Sequence, residues 1–110
     1  MSQMVTCPAT ATLIYLAGQV SDDLSDDIAV QTQSVLAKID GLLSLAGSDK
    51  TGLVSAQIWL RDMGDFDAMN PVWEQWLPEG RAPVRACVEA RLADPRLKIE
   101  IQVIAVKTSA

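Results

Sequence analysis

Three stretches of this chain, 53–61, 84–92 and 97–106, place apolar residues at every second position, and that period of two puts a β-sheet at the centre of the fold. In the first, Val54, Ala56, Ile58 and Leu60 alternate with Leu53, Ser55, Gln57 and Trp59. In the second, Val84, Ala86, Val88, Ala90 and Leu92 alternate with Arg85, Cys87, Glu89 and Arg91, and the third repeats the pattern. A tight hairpin through Ala93-Asp94-Pro95-Arg96 would pair Leu92 with Leu97 and set Glu89 opposite Glu100 and Arg91 opposite Lys98. Like charges directly opposite destabilise a sheet. Either the register is offset, or another strand lies between the two.

The remaining elements follow from turn and cap chemistry. Thr12-Leu13-Ile14-Tyr15-Leu16-Ala17 is short, apolar and rich in β-formers, and it ends at Gly18, where a bulge or close backbone approach is expected. Met4 to Cys7 reads as a brief partner strand, with Pro8 in the turn between. The cluster Asp22, Asp23, Asp26 and Asp27, with Ser21 and Ser25, supplies cap oxygens and negative charge to a helix beginning near Ser25. Ile28, Val35, Leu36, Ile39, Leu42, Leu43 and Ala46 keep helical spacing, and Gly47 stands where a left-handed residue ends the helix. Asn70-Pro71 reads as a cap followed by proline at the first position of a second helix, with Trp73, Trp76 and Leu77 on one face. Pro78 and Gly80 close it.

The element order β, α, β, α, β, β predicts one α+β domain over residues 1–110, with both helices on one face of a mixed sheet. The other face, carrying Leu53, Trp59, Cys87 and Ile104, is then more apolar than a monomer leaves in water, so the sheet is expected to meet other subunits. At 110 residues the chain is long enough for a core without metals or disulfides. Cys7 and Cys87 fit no metal-ligand or CxxC spacing and suit a reducing cytoplasm. The N-terminus lacks a basic leader and no apolar run reaches membrane length, so a soluble, unprocessed protein away from membranes is expected.

Composition narrows the chemistry. With 14 acidic against 9 basic residues the net charge is -5, which repels a phosphate backbone and excludes nucleic acid as a partner. Histidine is absent, which removes the commonest general base, the commonest metal ligand and every Ser-His or Cys-His pair. Asp49-Lys50-Thr51-Gly52 matches an ion-pump phosphorylation tetrapeptide by eye, but without a membrane span it reads as a loop after a helix end. Arg85 carries a planar fork suited to a carboxylate, although strand arginines are more often solvated or salt-bridged. Glu100 has the chemistry to orient or deprotonate a water; the plainer alternative is a solvent-facing or paired carboxylate. Cys87 is either a thiol activated by neighbouring Arg85 or a small packed residue whose backbone N–H lines a pocket. Trp73 and Trp76 read as packing residues, and Gly18-Gln19 as a turn whose amides are open to an anion.

Four blocks then stand in order: Tyr15-Leu16-Ala17-Gly18-Gln19-Val20; Arg61-Asp62-Met63-Gly64-Asp65-Phe66-Asp67-Ala68-Met69-Asn70 with Trp73; Ala82-Pro83-Val84-Arg85-Ala86-Cys87-Val88-Glu89-Ala90; and Lys98-Ile99-Glu100-Ile101-Gln102-Val103-Ile104-Ala105. Together they resemble the RidA/YjgF family of reactive intermediate deaminases, from about Leu13 onward, and look closest to its YoaB-like branch. The resemblance implies a chorismate-mutase-like α+β fold and a homotrimer with ligand clefts between subunits. It further implies hydrolysis of an enamine or imine, such as 2-iminopropanoate, to a 2-keto acid and ammonia, with neither metal nor organic cofactor. By the same resemblance Arg85 grips the carboxylate of a small metabolite, Glu100 positions a water, and the backbone around Gly18, Ala17 and Cys87 lines the pocket.

The chain departs from the deaminase pattern at three points. Ala17 stands where a serine or threonine precedes Gly-Gln, the Gly-Pro-Tyr segment is missing, and Gln102 replaces a second glutamate. A carboxylate-binding subunit without turnover is therefore the alternative function. The endoribonuclease label attached to parts of the family fits poorly with the acidic charge and absent histidines.

Overall fold

The computed structural model describes residues 1–108. Its elements are β1 (Leu13–Tyr15), β2 (Gln19–Val20), α1 (Ile28–Leu45), β3 (Leu53–Leu60), α2 (Phe66–Trp76), β4 (Val84–Glu89) and β5 (Ile99–Val106), with 3-10 turns at Lys50–Gly52 and Met63–Asp65. No helix among the described residues is long and apolar enough to cross a membrane.

The sheet runs β1-β5-β3-β4, with β2 also on β5. β3 lies between β4 and β5, antiparallel to β5 and parallel to β4. An intervening strand is thus what keeps Glu89 from facing Glu100, one of the two arrangements that the charge pattern left open. The α2 crossover makes the parallel β3–β4 pairing possible, because parallel neighbours cannot be joined by a tight turn.

α1 begins where the sequence supplies a cap, a few residues past Ser25. Asp27 Oδ1 accepts from the N–H groups of Ala29 and Val30 at 2.9 and 3.1 Å. It ends at Gly47, whose φ of 77° is open to glycine at little cost; Ser48 N–H bonds to the Leu43 carbonyl at 2.9 Å and Gly47 N–H to that of Ser44 at 3.2 Å. Fully buried Gln31 ties α1 to the loop before β5. Its Nε2 donates to the carbonyls of Ser25 and Arg96, and its Oε1 accepts from Lys98 N–H, all at 2.9 Å.

Both helices cover one face of the sheet. Val35, Ile39 and Leu43 from α1, Met69 and Trp73 from α2, and Ile58, Leu60, Ile99, Ile101 and Ala105 from the strands are fully buried there. Each large aliphatic or aromatic side chain so buried contributes roughly 1.5–3 kcal/mol.

Four expectations are corrected. Met4 to Cys7 forms no strand. α2 starts at Phe66, not after Asn70, and carries Pro71 inside; the Met63–Asp65 turn runs directly into it, so the local cap signal at Asn70 is overridden. Leu53 belongs to the core, because a register shift between Leu53 and Ser55 pairs it with Ala105. Cys87 lies on the helix side too. It pairs with Ile58 across parallel β3–β4, and side chains in register share a face. The open face instead carries Leu13, Tyr15, Trp59, Ala86, Val88 and Ile104, with Ser55, Gln57, Glu100 and Gln102. Tyr15 is 68%, Val88 47% and Leu13 45% exposed, so this face keeps the unmet apolar surface expected of it, with Trp59 and Ile104 as expected and Leu13, Tyr15, Ala86 and Val88 in place of Leu53 and Cys87.

Candidate functional site

Arg85 pairs with Ala56 and therefore points to the helix side of the sheet. There α2 receives it. Nη1 donates to Asn70 Oδ1 at 2.6 Å, and the guanidinium carbon lies 5.5 Å from the Phe66 ring centroid and 5.8 Å from that of Trp73. Phe66, Asn70 and Trp73 stand four and three residues apart, so they share one helix face. No carboxylate among the described residues lies within ion-pairing distance of Arg85.

β4 is also the sheet's outer strand. Ala90 N–H bonds back to the Leu60 carbonyl at 2.9 Å, and backbone groups of successive strand residues point in opposite directions. The N–H groups of Arg85, Cys87 and Glu89 consequently face the free edge. Ser2 bonds to this edge through its backbone N–H to Pro83 O at 3.2 Å and its hydroxyl to Ala82 O, before the edge reaches Arg85. The Cys87 N–H thus faces the outer edge of the sheet, and Arg85, two residues earlier on the same strand, carries its guanidinium under α2.

Burial pushes the Cys87 thiol up from its ordinary pKa, and the opposing charge of Arg85 is the smaller influence. Of the alternatives the sequence left open, the packed residue is what the structure contains.

Glu100 lies on the other side. Its neighbours Ile99 and Ile101 are fully buried beneath the helices, so its side chain projects from the open face, level with Val20 and Trp59. Gly18 sits directly against it: a Cβ there would overlap Glu100 Oε2, so no larger residue fits without displacing the carboxylate. Ala17 is exposed, with its carbonyl accepting from Gln19 Nε2 at 3.2 Å. Gln102 Nε2 donates to the Leu16 carbonyl at 3.3 Å, tying down the same segment.

The residues singled out from sequence therefore form two groups. Gly18, Ala17 and Glu100 gather at the β2–β5 side of the open face, while Arg85 and Cys87 occupy the β4 edge on the helix side. With β3 between β5 and β4, the strand axes are about 10 Å apart, twice the usual interstrand spacing, and the groups project to opposite faces. Within one chain they do not meet. A concavity lined by Arg61, Glu89, Arg91, Leu92 and Pro95 lies at the end of β4 and includes neither Arg85 nor Glu100.

Asn70 and Phe66 were missed as partners of Arg85 from sequence. Their spacing to Trp73 was the available signal, and starting the helix after Asn70 concealed it. Trp73 is fully buried and Trp76 packs against it at 5.5 Å between ring centroids, so both are packing residues as expected. Trp76 Nε1 donates to Asp40 Oδ2 on α1 at 3.0 Å.

Comparison with known proteins gives a consistent set of matches. The sequence model of the family described as Endoribonuclease L-PSP matches residues 2–107. The RutC family protein YoaB of Escherichia coli (strain K12) is 42% identical over 92 residues, covering 84% of this chain and 80% of that protein. The 3-aminoacrylate deaminase RutC of Acinetobacter baylyi is 36% identical over 106 residues, covering 89% and 83%. Among solved structures, NMB1025 from Neisseria meningitidis, a member of the YjgF protein family, superposes with a TM-score of 0.86 at 51% identity, covering 89% of this chain and 82% of that one.

Proposed function

This chain belongs to the RidA/YjgF family, and from that premise we propose that it hydrolyses small imines and enamines of the 2-iminopropanoate type to a 2-keto acid and ammonia. The sites are shared between neighbouring copies of a homotrimer. The observation that carries the reading is Arg85, a guanidinium on the sheet's outer strand, held by a neutral amide and two aromatic rings and, among the described residues, paired with no carboxylate. The relative named a 3-aminoacrylate deaminase adds support, since a 3-aminoacrylate is both an enamine and a carboxylate.

A composite site follows from the separation of the two groups. In one subunit Arg85 and Glu100 project from opposite faces, so a pocket using both takes Glu100 from a second copy. The open face, with Tyr15, Trp59 and Val88, is the apolar surface available for that contact.

Arg85 and the Cys87 N–H hold the substrate carboxylate, fixing the imine carbon in the cleft. Glu100 of the second copy takes a proton from a water as its oxygen bonds to that carbon. The C=N π electrons pass to nitrogen, which takes that proton back from Glu100 to give a carbinolamine. Glu100 then moves the hydroxyl proton to the nitrogen as the C=O bond forms and the C–N bond breaks, so nitrogen leaves as ammonia and the keto acid remains. One imine and one water give one keto acid and one ammonia. The free thiols Cys7 and Cys87 accord with a reducing cytoplasm as the setting.

The test is keto-acid release from freshly generated 2-iminopropanoate. Arg85→Ala is expected to lower kcat/KM by roughly 10–100-fold, the worth of a hydrogen bond to a charged group, with the oligomer intact by light scattering. Glu100→Gln is expected to lower kcat by about 10²-fold or more. Wild-type activity in Arg85→Ala would sink the reading.

Exposed Ala17 favours a second reading, a binding protein for small carboxylates without turnover, because it presents a methyl where deaminases of the family present a hydroxyl. Under it pyruvate raises the melting temperature and no imine is turned over; any enzymatic keto-acid production rejects it.

A further inference from the structure

The acceptor facing Arg85 is an amide and not a carboxylate, and it stands where helix formation gives no reason for it. Asparagine is a weak helix former, yet Asn70 occupies the middle of α2. Its side chain reaches across to β4, where Oδ1 accepts from Arg85 Nη1 at 2.6 Å. Phe66 and Trp73, on the same helix face, hold the flat guanidinium, and fully buried Trp73 cannot move aside.

We propose that Asn70 is a positioning residue that orients the Arg85 guanidinium while leaving its positive charge uncompensated, so that the site selects anionic over neutral ligands of the same shape. This rests on the reading of Arg85 as the carboxylate clasp. A neutral acceptor engages one N–H of the guanidinium and leaves the others and the whole net charge for a ligand. Aspartate has the same size and reach, but it would close an internal ion pair, and a carboxylate ligand would then have to compete with it.

A purely structural role for Asn70, as a tie between α2 and β4, predicts the opposite effect of the isosteric acid. The tie would be stronger and binding unharmed. The experiment is calorimetric titration of the intact protein with pyruvate and with its neutral amide, pyruvamide, in wild type, Asn70→Asp, Asn70→Ala and Arg85→Ala. Wild type is expected to prefer pyruvate. Asn70→Asp is expected to lose roughly tenfold or more in pyruvate affinity, the lower end for a hydrogen bond to a charged group, with pyruvamide affinity changed by less than about threefold.

Asn70→Ala, which removes the anchor without adding charge, is expected to fall between wild type and Asn70→Asp for pyruvate. Pyruvate affinity in Asn70→Asp equal to wild type, or higher than in Asn70→Ala, overturns the inference. Should Asn70→Asp not fold, wild-type pyruvate affinity in Asn70→Ala overturns it alone. Arg85→Ala separates the levels: retained pyruvate binding there rejects the carboxylate clasp itself, whereas loss there beside normal binding in Asn70→Asp rejects the role of Asn70 only.

Discussion

The two faces of the sheet are built from the same strands yet meet opposite fates. Under the helices, Ile58, Leu60, Ile99, Ile101, Val103 and Ala105 are buried to within 1% of completely. On the other side Tyr15, Val88 and Leu13 remain substantially exposed, and polar Gln57 and Gln102 lie among them in register. The first face is satisfied by its own chain. The second carries apolar surface in a layer that also holds Glu100, a mixture suited to a contact that must bury area and still admit water. Alternation along a strand thus reports that two unlike faces exist, whereas neighbouring strands decide which is which.

Substitutions that treat the faces as interchangeable are the sharpest way to break this contrast. Ile58→Ala, on the helix side, is expected to cost about 2–5 kcal/mol of unfolding free energy in urea titrations, and a loss under 1 kcal/mol would mean that the covered face is not the core. Asp27→Ala removes both side-chain cap bonds of the helix covering that face. About 1 kcal/mol is expected, read as a lower thermal midpoint.

Val88→Asp, on the open face, is expected to change the stability of the isolated subunit by no more than about 0.5 kcal/mol, yet to lower its self-association in sedimentation. Unchanged association would remove the open face as the subunit contact. The smallest effect is chemical. Burial raises the Cys87 pKa, so at neutral pH its reactive thiolate is depleted and iodoacetamide should label exposed Cys7 first. The sign is that of a raised pKa: the thiol is neutral in the fold, its contribution to stability is intact below the ordinary thiol value, and it declines as pH rises toward the shifted one. Equal labelling rates would place Cys87 on the exposed face after all.

Much of the architecture was legible because local chemistry and tertiary packing agree there. Asp27, Gly47 and the apolar spacing of α1 each state their role within a few residues. The charges on Glu89, Arg91, Lys98 and Glu100 even allowed for a strand between the last two, which β3 supplies. What failed was non-local. Val84, Ala86 and Val88 look like core residues, but the parallel register with β3 turns Arg85 and Cys87 inward. Leu53 was misplaced by a one-residue bulge, and α2 by a proline that the helix accommodates. For the candidate site, residue types were readable and their grouping was not, because faces and edges arise only once the strands are ordered.

The position of β5 has a consequence for how the chain reaches this state. It follows every other helix and strand among the described residues, yet it bonds to β3 on one flank and to β1 and β2 on the other, and it inserts Ile99, Ile101, Val103 and Ala105 beneath the helices. β1, β2 and β3 all precede the strand that they pair with, so none of those three pairings can form from their residues alone. Until β5 docks, β3 has β4 on one flank and an open edge on the other, the kind of edge at which another chain's strand competes, so the eight residues of β5 close the sheet and complete the core in one step.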